Sequence, residues 1–162
     1  MIPPAVAIRP LRDESEARFC AGILVASDPW VSLGLTLEEA FQRLIDPTRA
    51  ILVASVNGRI VGVLILHLSC PLNGYIQTIA VVPDSRCRGI GTQMMVWAEE
   101  RIFRQSPNVF LCVTSSNTRA QSLYGRLGYR RIGELPDFLA KGFTEILMRK
   151  TRGPLLGFCP QP

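Results

Sequence analysis

The stretch VVPDSRCRGIGTQMM, residues 81–95, passes from an apolar run through a polar turn into a second apolar pattern. Gly89 and Gly91 lie in this turn, beside arginines and before the second pattern. Glycine lets the backbone turn its amides outward and lets another molecule approach closely. A helix N-terminus adds unpaired N–H groups and a partial positive charge, which favour an anion. The stretch therefore predicts a strand, a phosphate-binding turn and a helix, although a lone G-x-G turn also serves plain chain reversal.

Local patterns on either side predict the remaining elements. Thr36 with Glu39 three residues later is a capping box that opens a helix ending before Pro47. Asn57-Gly58 between two apolar runs is the strongest short hairpin signal. The predicted strands are 3–10, the two runs of 49–68, 74–82, 109–116, and runs near 129–134 and 143–150. The predicted helices are 13–26, 36–45, one that follows the glycine turn, and 117–129.

The order of these elements predicts the fold class. It is β-α-α-β-β-β-α-β-α-β-β, an α/β chain with a mixed, mainly antiparallel sheet of about seven strands and four helices. The 162 residues suit one domain, which we expect to span 1–150. The remaining segment, 151–162, is rich in proline and glycine and is expected to be a loose tail.

Composition and charge limit the classes of partner. Hydrophobic residues make up 48% and charged residues 19%, as in a globular protein. The net charge of +5 suits an anionic partner or cofactor, but the arginines are scattered, so no nucleic-acid partner is expected. No apolar run approaches the roughly 20 residues of a membrane span, and MIPPAVAIR at 1–9 does not resemble a signal peptide. We therefore expect a cytoplasmic protein with no membrane partner.

The cysteines are five, widely spaced, and without a C-x-x-C motif, and His67 is the single histidine. A zinc site needs several such ligands at close spacing, so no metal is expected. This usage suits reduced thiols in a cytosol-like compartment.

Two motifs together resemble the GNAT superfamily of acyl-coenzyme-A-dependent N-acyltransferases. The first is IAVVPDSRCRGIGTQMM, in which Arg86, Gly89 and Gly91 match the pattern R-x-x-G-x-G. The second is NTRAQSLYGRLGY at 117–129, which matches N-x-x-A-x-x-L-Y-x-x-x-G-[FY]. The element order is also similar to that fold, and the resemblance covers residues 3–150. It implies a GNAT-like fold and acetyl-CoA as co-substrate.

The resemblance also implies where coenzyme A would bind. Its pyrophosphate would lie on the backbone amides of the glycine turn, and its pantetheine arm would pair with the strand before the turn. In the family this strand splays from the next one, and the gap admits the thioester. Asn117, which is also expected to cap the helix predicted at 117–129, would bond the pantetheine arm. The cofactor-binding residues implied are Ile79, Ala80, Val81, Arg86, Cys87, Arg88, Gly89, Ile90, Gly91, Thr92 and Asn117.

The implied reaction is direct attack of a primary amine, from a small molecule or a peptide, on acetyl-CoA in a ternary complex. The Val81 N–H suits stabilisation of the oxyanion, and Tyr124 suits protonation of the departing thiolate. The family often places a glutamate near the positions of Tyr75 or Cys112, and neither residue is a base at neutral pH. A water relay or an already neutral amine would serve equally well.

The acceptor cleft is expected between SDPWVSLGLTLEE at 27–39 and ELPDFLAKG at 134–142, by analogy with the family. Acidic residues outnumber Lys141 there, which indicates a cationic amine. The substrate candidates are Asp28, Trp30, Glu39 and Asp137, although Trp30 also reads as a packing residue.

Two other classes remain to be weighed. An inactive acyl-CoA-binding or sensor module is supported by the missing base. A nucleotide-binding ATPase is disfavoured because G-x-x-x-x-G-K-[ST] is absent. The sequence leaves open whether the protein forms a homodimer.

Overall fold

The fold was described from a computed structural model, which covers residues 5–69 and 72–161. The start of the strand predicted at 3–10, Cys70 and the last residue of the tail lie outside the described residues. The strands are β1 (Ala7–Pro10), β2 (Ala50–Val56), β3 (Arg59–His67), β4 (Tyr75–Val81), β5 (Asn108–Thr114), β6 (Arg130–Pro136) and β7 (Thr144–Thr151). The helices are α1 (Glu14–Val25), α2 (Leu37–Leu44), α3 (Ile90–Phe103) and α4 (Thr118–Arg126).

The strands form a mixed sheet in the order β1-β2-β3-β4-β5-β7-β6. The β4–β5 pair is parallel, and the β1–β2, β2–β3, β5–β7 and β6–β7 pairs are antiparallel. The predicted fold class, element order and mainly antiparallel sheet are confirmed. A short 3₁₀ turn at Pro83–Ser85, between β4 and α3, was not predicted.

Local signals set several element boundaries as predicted. The Thr36 hydroxyl accepts from the Glu39 N–H at 3.2 Å, and the Glu39 carboxylate accepts from the Thr36 N–H at 2.8 Å, which completes the capping box. Asn57 and Gly58 both have positive φ, 50° and 79°, as a two-residue hairpin turn of type I′ requires. Helix α1 is capped by Asp13, which accepts from the Glu16 N–H at 2.9 Å.

The chain divides into two compact units. The first contains the described residues up to His67 together with Gln77–Ala98. Its core is built by α1 and α2 with the inner strands, and its most buried side chains include Leu24, Leu44, Val63 and Ile65. The close approach of Gly62 to β4 depends on its missing side chain, because an added Cβ would lie 2.9 Å from the Ala80 carbonyl oxygen.

The second unit contains Leu68–Ile76 and the chain from Glu99 onward. Its core includes Ile102, Val109, Leu111, Ile146 and Met148, which are nearly inaccessible to solvent. Backbone hydrogen bonds join the predicted tail to earlier residues of this unit: the Arg152 and Gln161 N–H groups donate to the carbonyls of Pro107 at 2.8 Å and Arg104 at 2.7 Å. The single domain at 1–150 and the looseness of 151–162 stay predictions.

Candidate functional site

The glycine turn in the first unit links the 3₁₀ turn to α3. Cys87 and Gly89 have φ values of 62° and 78°, so the backbone enters the left-handed region twice within three residues. The Gly89 carbonyl accepts the Gln93 N–H at 3.0 Å, which makes Gly89 the residue that precedes the helix. The next N–H groups, of Ile90, Gly91 and Thr92, therefore have no partner within the helix. This segment presents backbone donors at the positive end of a helix dipole.

Gly91 leaves space beside these donors. A Cβ added there would meet no heavy atom within 4 Å among the described residues outside its own helix backbone. The residue has helical conformation and no positive φ, so folding itself does not require glycine at this position. The open space is what a phosphate close to the backbone needs, and the residues present therefore fit the pyrophosphate of coenzyme A.

The Arg86 side chain is folded back onto the first unit. Its Nε donates to the Val81 carbonyl at 2.9 Å, and its Nη2 donates to the Ser27 hydroxyl at 3.2 Å. Ser27 in turn donates to the Ile23 carbonyl at the end of α1. Arg86 thus ties the turn to the end of β4 and the end of α1, and its partners here are protein oxygens.

The polar groups of β4 alternate in direction. The Val82 N–H, just after the strand, donates to the Val61 carbonyl of β3 at 2.9 Å. Because backbone N–H and C=O groups reverse direction at each residue along a strand, the groups of Ala80 also point toward β3. Those of Ile79 and Val81 consequently point away from β3. The parallel ladder of β4 with β5 joins Tyr75 to Phe110 and Ile76 to Leu111.

The acceptor candidates of the first unit have structural partners. Asp28 is exposed and accepts from the Ser32 hydroxyl at 2.9 Å. Trp30 is 8% exposed and belongs to the hydrophobic core, with the Arg43 guanidinium 4.8 Å from its ring centroid. The Glu39 carboxylate is engaged in the capping box, and its hydrogen bonds with Thr36 lower its pKa. Their binding of a substrate stays a prediction.

Tyr124 and Asn117 belong to α4 in the second unit. Tyr124 is 8% exposed, and its ring lies 5.9 Å from that of Tyr129, centroid to centroid. Burial raises the pKa of Tyr124 to about 12, so its hydroxyl is protonated across the physiological range. Asn117 caps α4: its Oδ1 accepts the Ala120 N–H at 3.0 Å, which leaves the Nδ2 group outside the cap.

Asp137 shapes the turn between β6 and β7. Its φ is 54°, its Oδ1 accepts the Gly142 N–H at 2.6 Å, and its own N–H donates to the Phe143 carbonyl at 2.9 Å. The side chain is exposed, so the carboxylate reaches solvent at this turn. A role in binding an amine stays a prediction.

Sequence reasoning overlooked a buried carboxylate in the second unit, that of Glu145 on β7, which is 3% exposed. Burial raises its pKa, an effect that the Thr114 hydrogen bond partly opposes. The local pattern in TEILMRKT at 144–151 gives no signal of this burial, because Glu145 alternates with the apolar Ile146 and Met148 and so reads as a solvent-facing residue. Cys112, where the resemblance suggested a base, shares a hydrogen bond with Tyr75, and burial raises its pKa.

A second buried pair lies in the same unit. Lys150 Nζ lies 2.5 Å from the Glu99 carboxylate and 5.9 Å from the Tyr129 ring centroid. Lys150 therefore contacts Tyr129, the ring partner of Tyr124.

The described residues hold neither a metal-binding cluster nor a membrane-spanning helix. Within 5–69 and 72–161, no group of three or more histidine, cysteine, aspartate or glutamate side chains is arranged to hold a metal ion. No helix in that part of the chain combines the length and the apolar character that crossing a bilayer requires.

The chain has an α/β fold, and its strand-to-helix turn has backbone N–H donors at the N-terminus of α3. These features are those of an α/β protein that can bind an anion at a helix N-terminus. Comparison with known proteins identifies the family. A model of the Acetyltransferase (GNAT) family matches residues 13–129. The chain therefore belongs to the GNAT family, and the resemblance noted in its motifs is confirmed.

Individual relatives are similar over part of the chain. The uncharacterized N-acetyltransferase MJ1530 of Methanocaldococcus jannaschii is 34% identical over 110 residues, 64% of this chain and 70% of that protein. The aminoalkylphosphonate N-acetyltransferase of Salmonella typhimurium is 33% identical over 94 residues, 54% of this chain and 61% of that protein. A crystal structure of aminoglycoside 6'-N-acetyltransferase complexed with coenzyme A shares the fold, with a TM-score of 0.71 at 17% identity, over 91% of this chain and 98% of that one.

Proposed function

We propose that this protein is an N-acetyltransferase that moves an acetyl group from acetyl-CoA to a primary amine. The observation that carries the proposal is the glycine turn, in which helix N-terminal amides border open space at Gly91. Family membership and the names of the relatives support the same reaction.

The amides of residues 87–92 are proposed to bind the pyrophosphate. Arg86 supports this turn, since its guanidinium is bonded to Val81 and Ser27 and holds the loop against the unit. The backbone groups of Ile79, which point away from β3, are proposed to pair with the amide-rich pantetheine arm, and Asn117 to bond the same arm through its Nδ2 group.

The Val81 N–H is proposed to donate to the oxyanion that forms when the amine attacks the thioester. The Val81 carbonyl accepts from Arg86, which restrains the next peptide group of the chain, between Val81 and Val82. Tyr124 is proposed to donate a proton to the departing sulfur. Its raised pKa keeps the proton in place until the leaving group develops negative charge.

The acceptor is proposed to be a cationic amine. Asp28 and Asp137 are exposed carboxylates on the two segments that the family analogy assigns to the acceptor. The names of the relatives cover different amines, so they leave the acceptor open.

The experiment that tests the proposal combines binding and turnover. Acetyl-CoA should raise the melting temperature of the protein, because a ligand that binds only the native state stabilises it. CoA release should then be measured with a panel of spermidine, tyramine, aminoalkylphosphonates, amino acids and tripeptides with unblocked N-termini. Stabilisation with no turnover of any amine would instead favour a non-catalytic acyl-CoA-binding module, and no stabilisation would refute the proposal.

A further inference from the structure

The buried carboxylate of Glu145 lies on a defined face of the sheet in the second unit. In the β5–β7 ladder Thr114 lies opposite Glu145, and Cys112 lies opposite Leu147. Since side chains two residues apart in a strand share a face, these four side chains lie together. The Thr114 hydroxyl donates to Glu145 Oε1 at 2.7 Å and fixes the carboxylate.

Thr114 also connects this carboxylate to residues already placed in the proposed machinery. Its backbone carbonyl accepts the Asn117 N–H at 2.9 Å and the Gln121 side-chain amide at 3.2 Å. The Ser115 N–H donates to the Thr144 carbonyl at 2.8 Å, next to Glu145 in the chain. The carboxylate therefore lies at the end of β5 from which α4, with Asn117 and Tyr124, begins.

Burial of the Glu145 carboxyl raises its pKa, which makes the carboxylate a stronger base than an exposed one. The ionised form is opposed by burial, and no cation contributes to its pKa shift. Cys112, Leu147 and the β6 partner Leu135 are only half-buried, so this face is partly open to solvent. The other titratable groups on this face are the Cys112 thiol from β5, Tyr75 from β4, Arg149 of β7 and Arg130, which lies opposite Arg149 on β6. On β6 and β7, Arg131, Glu134 and Lys150 lie on the opposite face.

We propose that Glu145 is the proton acceptor for the amine, with Thr114 as its positioning residue. The inference rests on the proposed acetyl transfer. The resemblance suggested a base on β5 near Cys112. The Glu145 carboxylate lies on the same face of the sheet as Cys112 but belongs to the neighbouring strand, β7. Its position on β7 explains why inspection of the expected strands found no base.

The proton balance is as follows. Glu145 takes one proton from the ammonium group and passes it to water, which leaves a neutral amine. The nitrogen then bonds to the acyl carbon, the carbon–sulfur bond breaks, and Tyr124 gives its proton to the sulfur. The nitrogen releases its second proton, and Tyr124 regains one from solvent. The net products are an amide, a thiol and one proton.

The test compares Glu145→Gln with the parent, using whichever amine of the panel turns over. Glutamine keeps an oxygen for the Thr114 hydroxyl but cannot take a proton. At pH 6.5 we expect the kcat/KM for the amine to fall about 10²–10⁴-fold, as for loss of a general base. The loss should shrink as the pH rises, because the free amine then loses its proton in solution. The affinity for acetyl-CoA should not change.

Controls separate this role from a structural one. Glu100→Gln, which removes an exposed carboxylate from α3, should leave the pH profile unchanged, and Glu145→Asp should restore part of the activity. If the parent is active and Glu145→Gln has the same pH profile, the assignment of Glu145 is wrong but the proposed function stands. A pH-independent loss with a lowered melting temperature would also overturn it, in favour of a structural carboxylate. A parent that turns over no amine would overturn both this assignment and the proposed function.

Discussion

Replacement of Gly91 by alanine should raise the stability of the folded protein and lower its affinity for acetyl-CoA. Gly91 is in the first turn of α3 with no positive φ, and an added Cβ meets nothing within 4 Å. Alanine at a compatible site stabilises a protein by about 0.4–1 kcal/mol, mainly by restricting the unfolded chain. For a chain of this size about 1 kcal/mol corresponds to about 2–4 °C, so the melting temperature without ligand should rise by about 1–4 °C.

The ligand effect should have the opposite sign. At a concentration of about 100 Kd, acetyl-CoA should add about 2.7 kcal/mol to the stability of the parent, or about 5–11 °C. In Gly91→Ala the methyl group occupies the space proposed for the phosphate. A tenfold loss of affinity would reduce the ligand contribution at the same concentration to about 1.4 kcal/mol, roughly half. Gly91→Val, with a larger side chain, should abolish the shift.

The assay is a thermal melt of each variant with and without acetyl-CoA. Gly22→Ala is the matched control, because Gly22 lies within α1 and an added Cβ there also meets nothing within 4 Å. This control should gain similar stability and keep the full ligand shift. If Gly91→Ala and Gly91→Val both keep the parental ligand shift, the pyrophosphate does not lie at this turn.

Three further outcomes are expected. Tyr124→Phe should lower kcat about 10²–10⁴-fold with little change in the Kd of acetyl-CoA. Because the pKa of Tyr124 is about 12, ionisation of this group should not lower the activity of the parent below about pH 11. An unchanged rate under conditions in which chemistry is rate-limiting would contradict its role. Acetyl-CoA should slow alkylation of the exposed Cys87 thiol, as measured by peptide mass spectrometry. Buried Cys20, whose pKa is raised to about 12, should stay unmodified. Equal rates of Cys87 alkylation with and without acetyl-CoA would contradict binding of the cofactor at the glycine turn. Asp28→Asn and Asp137→Asn keep oxygens for their Ser32 and Gly142 partners and should raise the KM of a cationic amine; if neither does, the placement of the acceptor is wrong.

Local sequence determined the elements and their order. The Thr36–Glu39 capping box, the Asn57-Gly58 hairpin turn and the Asn117 cap were predicted and are all present. Such features need only contacts between residues a few positions apart, so the pattern carries them in full. The glycine turn belongs to this group, since the backbone geometry at Gly89 is a local property.

Tertiary structure decided which polar side chains are hydrogen-bonded to distant residues of the protein and which are buried. The resemblance includes Arg86 among the cofactor-binding residues, and only the folded structure shows its guanidinium bonded to Ser27, which lies 59 positions earlier in the chain. Glu145 looks like one more strand residue until its register with β5 places it against Thr114, 31 positions away. Burial and hydrogen bonding of this kind depend on elements that meet only after folding, and the pattern around a single residue holds no record of its distant neighbour.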